Sequence, residues 1–158
     1  DNPVYYMEHR LLYDMKGEVP KGEFTIPFGQ ADVKREGTDL TVVATLHMVH
    51  KALAVAERVA DDVSVEIIDP RTLVPLDEET ILNSVRKTGR LLVVQEACLC
   101  GGFGSEIVRR VTEQAFAALK APPKVLGSLD LPMPFSPPLE RAVIPDEADI
   151  EAAVRAIV

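Results

Sequence analysis

Short apolar runs along the chain alternate with segments whose apolar residues recur at helical spacing. The runs predict strands at residues 4–7, 40–45, 63–68, 91–94 and 124–126. A helical pattern follows each of the last four runs, with apolar positions three or four residues apart. This alternation predicts an α/β fold, a three-layer α-β-α sandwich around a mostly parallel sheet of about five strands.

Capping residues mark where several of these helices begin and end. Asp77 is expected to cap the second helix, and Gly89 to stop it. Ser105 is expected to cap the third helix, and Asp146 the last one. Residues 131–138 contain too many prolines for a regular element and are expected to run extended over the surface.

The first part of the chain lacks this regular pattern. Glycine and proline recur from residue 8 to residue 37, with room for one short strand at residues 24–26. A loop of this length inside a compact domain is unusual. We therefore expect residues 1–37 to be a connector arm from a further N-terminal domain, and residues 38–158 to form the domain itself. The start, without Met or a signal peptide, indicates part of a longer protein.

Charge and cysteine content narrow the classes of partner. The net charge of −8 argues against nucleic acid, because phosphate binding needs a surplus of Lys and Arg. The longest apolar runs have the length of strands, so no membrane span is expected. Cys98 and Cys100 are badly spaced for a mutual disulfide, which favours a reducing cytoplasm.

Three glycines follow the predicted strand at residues 91–94. In a doubly wound sheet this turn faces the ligand side, so Gly101, Gly102 and Gly104 are candidates for binding a nucleotide or flavin. The turn matches neither G-x-G-x-x-G nor a P-loop. The preferred interpretation is close packing of strand and helix, with Phe103 filling a gap. On that interpretation, Gly102→Val destabilises the fold.

A metal site is not expected from the sequence. Cys98 and Cys100 provide at most half of a tetrahedral zinc site, and no second Cys pair exists. The missing ligands would have to come from the three histidines, His9, His47 and His50. His47 and His50 can share a helix face, but the sequence provides no oriented partner for either, so both are expected at the surface or an interface.

Two charged features are candidate interaction sites. Arg71, just after a strand, can clamp an anionic ligand or pair with an acid across a subunit contact, and the sequence does not choose between these. The second feature, the acidic cluster, is a solvated helix start or a docking patch for a basic partner. It comprises Glu140, Asp146, Glu147, Asp149 and Glu151.

Several segments, in order along the chain, resemble one enzyme family. They are residues 2–9, 17–20, 67–77, 87–96, 101–106 and 132–140. Together they resemble the connector and C-terminal domain of the β-subunit of thiamine-diphosphate-dependent 2-oxoacid dehydrogenases, with the transketolase C-terminal fold. Residues 69–72 and 118–122 are similar to the acetoin branch, whereas residues 98–104 are similar to the pyruvate and branched-chain branches. The substrate therefore stays open.

The resemblance implies a role without catalysis for this part of the enzyme. Thiamine diphosphate and Mg²⁺ are expected in the full α₂β₂ enzyme, on motifs that this chain lacks, so no catalytic, cofactor or metal residue carries over. The implied partners are the α-subunit, a second β-subunit and the binding domain of the lipoyl acyltransferase. Val158 and the acidic cluster are expected to face that basic domain. Arg71, Gly101, Gly102 and Phe103 are further candidate residues of a subunit or partner interface. The alternative is a free-standing doubly wound domain that binds a nucleotide or flavin.

Overall fold

The fold is a five-stranded sheet covered by helices on both faces, as seen in a computed structural model that describes residues 2–158. The strands are β1 (Asp32–Arg35), β2 (Leu40–Ala44), β3 (Val65–Asp69), β4 (Leu91–Cys98) and β5 (Lys124–Ser128). The helices are α1 (His47–Arg58), α2 (Glu78–Thr88), α3 (Phe103–Ala115), α4 (Pro137–Val143) and α5 (Glu147–Ile157). Short 3-10 helices occur at Arg10–Leu12 and Phe116–Ala118.

The sheet has the order β1-β3-β2-β4-β5. All neighbouring strands are parallel except β1, which runs antiparallel to β3 at the edge. One hydrophobic core joins α1 and α5 to one face of the sheet, and a second joins α2 and α3 to the other face. The predicted α/β sandwich with a mostly parallel sheet of five strands is thus confirmed.

Helix α2 shows how local signals define an element. The carboxylate of Asp77 accepts the main-chain N–H of Thr80 (3.1 Å) and also that of Ala31 (2.8 Å). Burial would raise the pKa of Asp77, but these hydrogen bonds outweigh it, so the pKa is lowered. Gly89 ends the helix with φ 78°, which glycine adopts without strain. Asp77 therefore caps α2 as predicted and also holds the arm against the domain.

Three predicted elements differ from the structure, and one strand was not predicted. Residues 4–7 and 24–26 are not strands, because neither segment pairs with the sheet in the described chain. The fifth strand is instead β1, whose polar sequence DVKR carries no apolar run to reveal it. The end of the segment expected to run extended, 131–138, begins helix α4, because proline is tolerated in the first turn of a helix.

Within residues 2–158, no helix combines the length and the apolar character that crossing a bilayer requires.

Candidate functional site

A groove of about 850 Å³ lies between the arm, the start of α1 and the segment from α4 to α5. Three residues of the acidic cluster line it, together with a group of two histidines and a carboxylate that the sequence did not predict. These six residues are Glu140, Asp146, Glu147, His9, His47 and Glu96. Basic side chains, including those of Lys51 and Arg58, also reach the groove, so its charge is mixed.

Two members of the acidic cluster form the start of α5. Asp146 accepts the main-chain N–H of Asp149 at 3.0 Å, and Asp149 accepts that of Asp146 at 2.9 Å, which is a reciprocal capping box. The hydrogen bond from the Asp149 N–H lowers the pKa of Asp146. Both residues are exposed. They therefore stabilise the helix end and keep their negative charge at the surface.

The other members of the cluster differ in how far their charge is neutralised. Glu147 and Glu151 both contact the guanidinium of Arg58, at 2.8 and 3.1 Å. Glu140 lies exposed on α4. Val158 follows α5, and its main-chain oxygen lies 3.5 Å from a guanidinium nitrogen of Arg90. Glu140 is thus the member best placed to offer its charge to a partner.

Arg71 forms an ion pair within the chain. Its guanidinium lies 2.7 Å from Asp32 of the edge strand β1. A hydrogen bond from Lys34 is the main cause that lowers the pKa of Asp32, and Arg71 adds to it. The φ of Arg71 is 55°, a conformation unusual for a residue with a side chain. The guanidinium of Arg71 is thus already paired with Asp32 of the same chain. The two predicted roles for Arg71 remain predictions.

The glycine turn is filled by the side chain of Gln95. This amide donates to the carbonyl oxygens of Ala97 (3.2 Å) and Cys98 (2.9 Å) and accepts the N–H of Gly104 (2.6 Å). A Cβ on Gly102 would lie 1.9 Å from the Gln95 amide nitrogen. An N–H that a phosphate would use at the start of α3 is therefore already satisfied. The geometry favours the packing interpretation over nucleotide or flavin binding.

The predicted role of Phe103 beside this turn is confirmed, whereas the predicted role of Ser105 is wrong. Phe103 is partly buried against the core on the α2 and α3 face, as the gap-filling role requires. Ser105 is not the cap of α3, because the helix already begins at Phe103, with Gly102 before it. Gly101 has φ 71°, so the positive φ belongs to Gly101 and close approach belongs to Gly102.

Two histidines and a glutamate meet at one end of the groove. His9 of the arm stacks on His47, the first residue of α1, with ring centres 5.3 Å apart. The His9 Nε2 lies 2.8 Å from the carboxylate of Glu96 in β4. The His9 Nδ1 accepts the main-chain N–H of Leu11 at 3.2 Å, which leaves the proton on Nε2 to be donated to Glu96. We call these three residues, His9, His47 and Glu96, the histidine cluster.

The surroundings of His47 disfavour its charged form. Burial is the largest cause that lowers its pKa, and the positive charge of Lys51 acts in the same direction. The carboxylate of Glu96 opposes both. His47 is therefore predominantly neutral at neutral pH, and a neutral imidazole has a lone pair available for a ligand.

The sequence analysis missed the histidine cluster. Of the three histidines, His9 and His47 do converge, but on Glu96 and not on Cys98 and Cys100, which are free thiols. His50 is exposed. A signal did exist, because His47 follows β2 and Glu96 directly follows the buried residues of β4, so parallel pairing brings them to the same end of the sheet. The contribution of the distant arm had no local signal.

Comparisons with known proteins place the chain in a family. A family model described as "Transketolase, C-terminal domain" matches residues 29–150. A solved structure described as a split-gene transketolase in an inactive β4 tetramer has a TM-score of 0.74, with 29% identity over 89% of this chain and 46% of that one.

The curated relatives include β-subunits of three kinds of dehydrogenase. The β-subunit of acetoin:2,6-dichlorophenolindophenol oxidoreductase from Cupriavidus necator is 46% identical over 98% of this chain and 46% of its own length. The β-subunit of the pyruvate dehydrogenase E1 component from Rickettsia conorii is 42% identical over 99% of this chain and 48% of its own length. The β-subunit of 2-oxoisovalerate dehydrogenase from Bacillus subtilis is 40% identical, with shares of 98% and 48%.

The chain spans about half the length of these relatives. Their names confirm the resemblance to 2-oxoacid and acetoin dehydrogenase β-subunits. The matching family model and the shared sheet with helices on both faces lead to one conclusion: the chain belongs to the transketolase C-terminal domain family.

Proposed function

We propose that the chain is the assembly and docking domain of the β-subunit of a thiamine-diphosphate-dependent dehydrogenase. The complete enzyme cleaves a 2-oxo acid or acetoin and passes the acyl group to lipoamide of an acyltransferase. Thiamine diphosphate and Mg²⁺ belong to the parts of that enzyme outside this chain. In this proposal residues 1–37 connect the two domains of the β-subunit, residues 38–158 bind other subunits, and the enzyme acts in the cytoplasm.

The observation that carries the assembly role is the apolar surface of the arm. Tyr5 and Tyr6 are 92% and 83% exposed, and Phe28 is 64% exposed. Further exposed apolar side chains of the arm are Val4, Met7, Leu11, Tyr13, Met15, Val19, Phe24 and Ile26. Exposed apolar side chains concentrated in one segment point to a protein interface, because soluble proteins rarely leave large apolar patches uncovered. An α-subunit and a second β-subunit are the partners that would cover them.

The docking role is supported by charge. The chain carries a net charge of −8, and Asp146, Asp149 and Glu140 keep exposed carboxylates around the α4–α5 segment. A small basic domain meeting this surface would be attracted over a distance of about one Debye length, roughly 10 Å at 0.1 M salt. Such attraction raises the rate of association more than the final affinity.

Co-expression of the complete β-subunit with its α-subunit tests the assembly role. Replacing Tyr5 and Tyr6 with serine is expected to shift the complex toward free subunits in analytical ultracentrifugation. The reason is that the interface then buries less apolar surface, and each Å² of buried apolar surface contributes about 25 cal/mol. Phe116→Ser, at a residue 71% exposed outside the arm, is the matched control. An intact complex after the tyrosine substitutions, or equal loss with Phe116→Ser, contradicts a specific role for the arm.

A binding titration with the acyltransferase's binding domain tests the docking role. Glu140→Lys is expected to raise Kd by about 2–5-fold at low salt, the effect of one exposed charge pair, and the difference is expected to vanish at high salt. Glu113→Lys on α3 is the control with the same change of charge. No binding at low salt, binding indifferent to salt, or an equal effect of both variants contradicts docking through the acidic cluster.

The division of labour is tested on the chain alone. Calorimetry with thiamine diphosphate and Mg²⁺ is expected to show no saturable binding, and pyruvate, branched-chain 2-oxo acids and acetoin are expected to give no turnover. Tight cofactor binding or turnover by this chain contradicts the proposal that bond breaking occurs elsewhere. Titration with nucleotides and flavins, read as thermal stabilisation, tests the alternative of ligand binding at the glycine turn.

A further inference from the structure

The histidine cluster combines donor atoms that metals use. His9, His47 and Glu96 each place one ligand atom, a ring nitrogen or a carboxylate oxygen, within 4.8 Å of the other two. The side chains of His9 and Glu96 are 16% and 29% exposed, so the cluster is partly shielded but reachable from the groove. Two imidazoles and one carboxylate form a common zinc ligand set that leaves a fourth position open.

The location of the cluster points independently to a ligand. Strands β2 and β4 are parallel neighbours, and α1 after β2 packs on one face of the sheet whereas α3 after β4 packs on the other. A crevice therefore opens beyond the ends of β2 and β4, and in open α/β sheets ligands bind at such switch points. His47 lies just after β2, and Glu96 lies in β4 beyond the last residue paired with β2.

We propose that His9, His47 and Glu96 bind one divalent transition-metal ion, with Zn²⁺ as the best match. Imidazole nitrogens favour transition metals, whereas Mg²⁺ and Ca²⁺ prefer sites made entirely of oxygen. Two of the ligands belong to the domain and one to the arm. The metal therefore fastens the arm to the end of the sheet that lines the groove.

Metal binding requires a defined rearrangement of protons and side chains. Neutral His9 that binds metal through Nε2 carries its proton on Nδ1, so the hydrogen bond from the Leu11 N–H is lost. The His9 Nε2 and the Glu96 oxygen, now 2.8 Å apart, must separate to about 3.3 Å, the spacing of ligands around tetrahedral zinc. Three metal–ligand bonds replace one hydrogen bond at an exposed turn and one ion-pair contact.

The charges around the cluster act in both directions. Lys51, one turn along α1 from His47, opposes a bound cation. Glu8, Glu140 and Asp146 line the same groove and favour it, whereas Arg10, Arg58 and Arg141 also line the groove and oppose it. Because the ring nitrogens must be unprotonated to bind a metal ion, acid is expected to weaken the affinity.

Calorimetric titration of the metal-stripped chain with Zn²⁺ alone tests the proposal. The parent carries Cys98→Ser and Cys100→Ser, so that thiolates cannot bind the ion. One ion per chain is expected. His9→Ala and His47→Ala are each expected to weaken binding by more than about 10-fold, because losing even a residue that only hydrogen-bonds a metal ligand costs at least about that much. His50→Ala, which removes the remaining histidine, is the matched control and is expected to bind like the parent.

Tryptic cleavage after Arg10 provides a second measurement, specific for fastening of the arm. Zn²⁺ is expected to slow this cleavage in the parent and in His50→Ala, but not in His9→Ala. Circular dichroism confirms that each variant is folded, and His9 lies outside both cores, so its removal does not threaten the fold. Absence of saturable 1:1 binding, full affinity in His47→Ala, or unchanged cleavage in the zinc-bound parent would overturn the proposal.

Discussion

Alanine at position 102 is expected to destabilise the fold, although the backbone there suits any residue. Gly102 has φ −70° and ψ 149°, an ordinary extended conformation. A Cβ at this position would lie 1.9 Å from the amide nitrogen of Gln95 and 2.4 Å from the carbonyl oxygen of Cys98. Both distances are far inside van der Waals contact. Glycine is therefore required by the close approach of the Gln95 side chain and not by its conformational freedom.

The expected loss follows from the hydrogen bonds of Gln95. Room for the new methyl group requires the amide to move away from three partners, two carbonyl oxygens and the N–H of Gly104. Each such bond contributes about 0.5–1.5 kcal/mol. With partial relaxation, we expect Gly102→Ala to lower the free energy of unfolding by about 2–4 kcal/mol. In a chain of 158 residues this corresponds to a fall in Tm of about 4–16 °C.

Urea denaturation and thermal melting of three alanine variants separate the two causes that make glycine necessary. Gly101 has φ 71°, and a Cβ added there would have no neighbouring atom within 4 Å, so Gly101→Ala adds only conformational strain, about 1 kcal/mol. Gly17 has neither positive φ nor a close neighbour, so Gly17→Ala is expected within about 0.5 kcal/mol of the parent. The predicted order of destabilisation is Gly102, then Gly101, then Gly17.

A double-mutant cycle tests whether Gln95 is the group that the methyl displaces. Gln95→Ala alone leaves the N–H of Gly104 without its partner and opens a cavity, so it destabilises as well. Combined with Gly102→Ala, the two effects are expected to be less than additive, since the amide is no longer present to be displaced. Strict additivity, or a Tm of Gly102→Ala equal to that of Gly101→Ala, would refute the reasoning.

Three further substitutions test other parts of the fold by thermal and urea melting. Asp77→Ala removes the cap of α2 and the acceptor for the N–H of Ala31, so a loss of about 1–3 kcal/mol is expected; a loss below about 0.5 kcal/mol, the range of a neutral surface change, would contradict this. Lys87→Met leaves the buried carboxylate of Glu66 without its cation. Burial would raise the pKa of Glu66, but hydrogen bonds, of which that from Lys87 is the largest, lower it. The ion pair therefore stabilises the fold at pH values above the ordinary pKa of glutamate, and this stabilisation is lost as the pH falls through the folded-state pKa. The variant is therefore expected to be less stable than the parent at pH 7 and to approach it as the pH falls through the lowered folded-state pKa of Glu66; a difference that does not shrink as the pH is lowered would contradict the argument. Leu46→Gly relieves φ 53° at the start of α1 and is expected to raise Tm by about 2–4 °C; a lower Tm would show that the leucine side chain contributes more than the strain costs.

The features that the sequence predicted correctly depend on neighbours in the chain. Apolar runs and helical periodicity define β2 to β5 and the large helices, because each pattern reports burial of one local element. Asp77, Gly89 and Asp146 act within one turn of their own helices, so their roles can be read from a few residues. The parallel direction of β2 to β5 then follows from alternation, since a crossover helix joins each of these strands to the next one in the chain.

The features that were missed depend on distant parts of the chain. Strand β1 is polar and short, and it is a strand because its main chain pairs with that of β3. Gln95 fills the glycine turn through three contacts that no motif describes. The partners in the histidine cluster are separated by 38 and 49 positions in the chain, the differences between 9 and 47 and between 47 and 96. Only the assembled sheet brings them together.

The arm connects these observations to the proposed role in assembly. It is attached to the domain at two places: His9 contacts Glu96 near its start, and near its end Gly29 and Ala31 donate to Thr72 and Asp77, just before β1 joins the sheet. Exposed apolar side chains lie between these places, at residues 11–28, and also before the first of them, at residues 4–7. An unattached segment with this composition would be a liability for aggregation, whereas a segment held at both ends presents the side chains of residues 11–28 in a fixed arrangement and loses less entropy when a partner covers them. On this proposal the apolar run at residues 4–7 is explained by a partner outside this chain, and the prediction of a strand there was wrong because it assigned the run to the sheet of the chain itself.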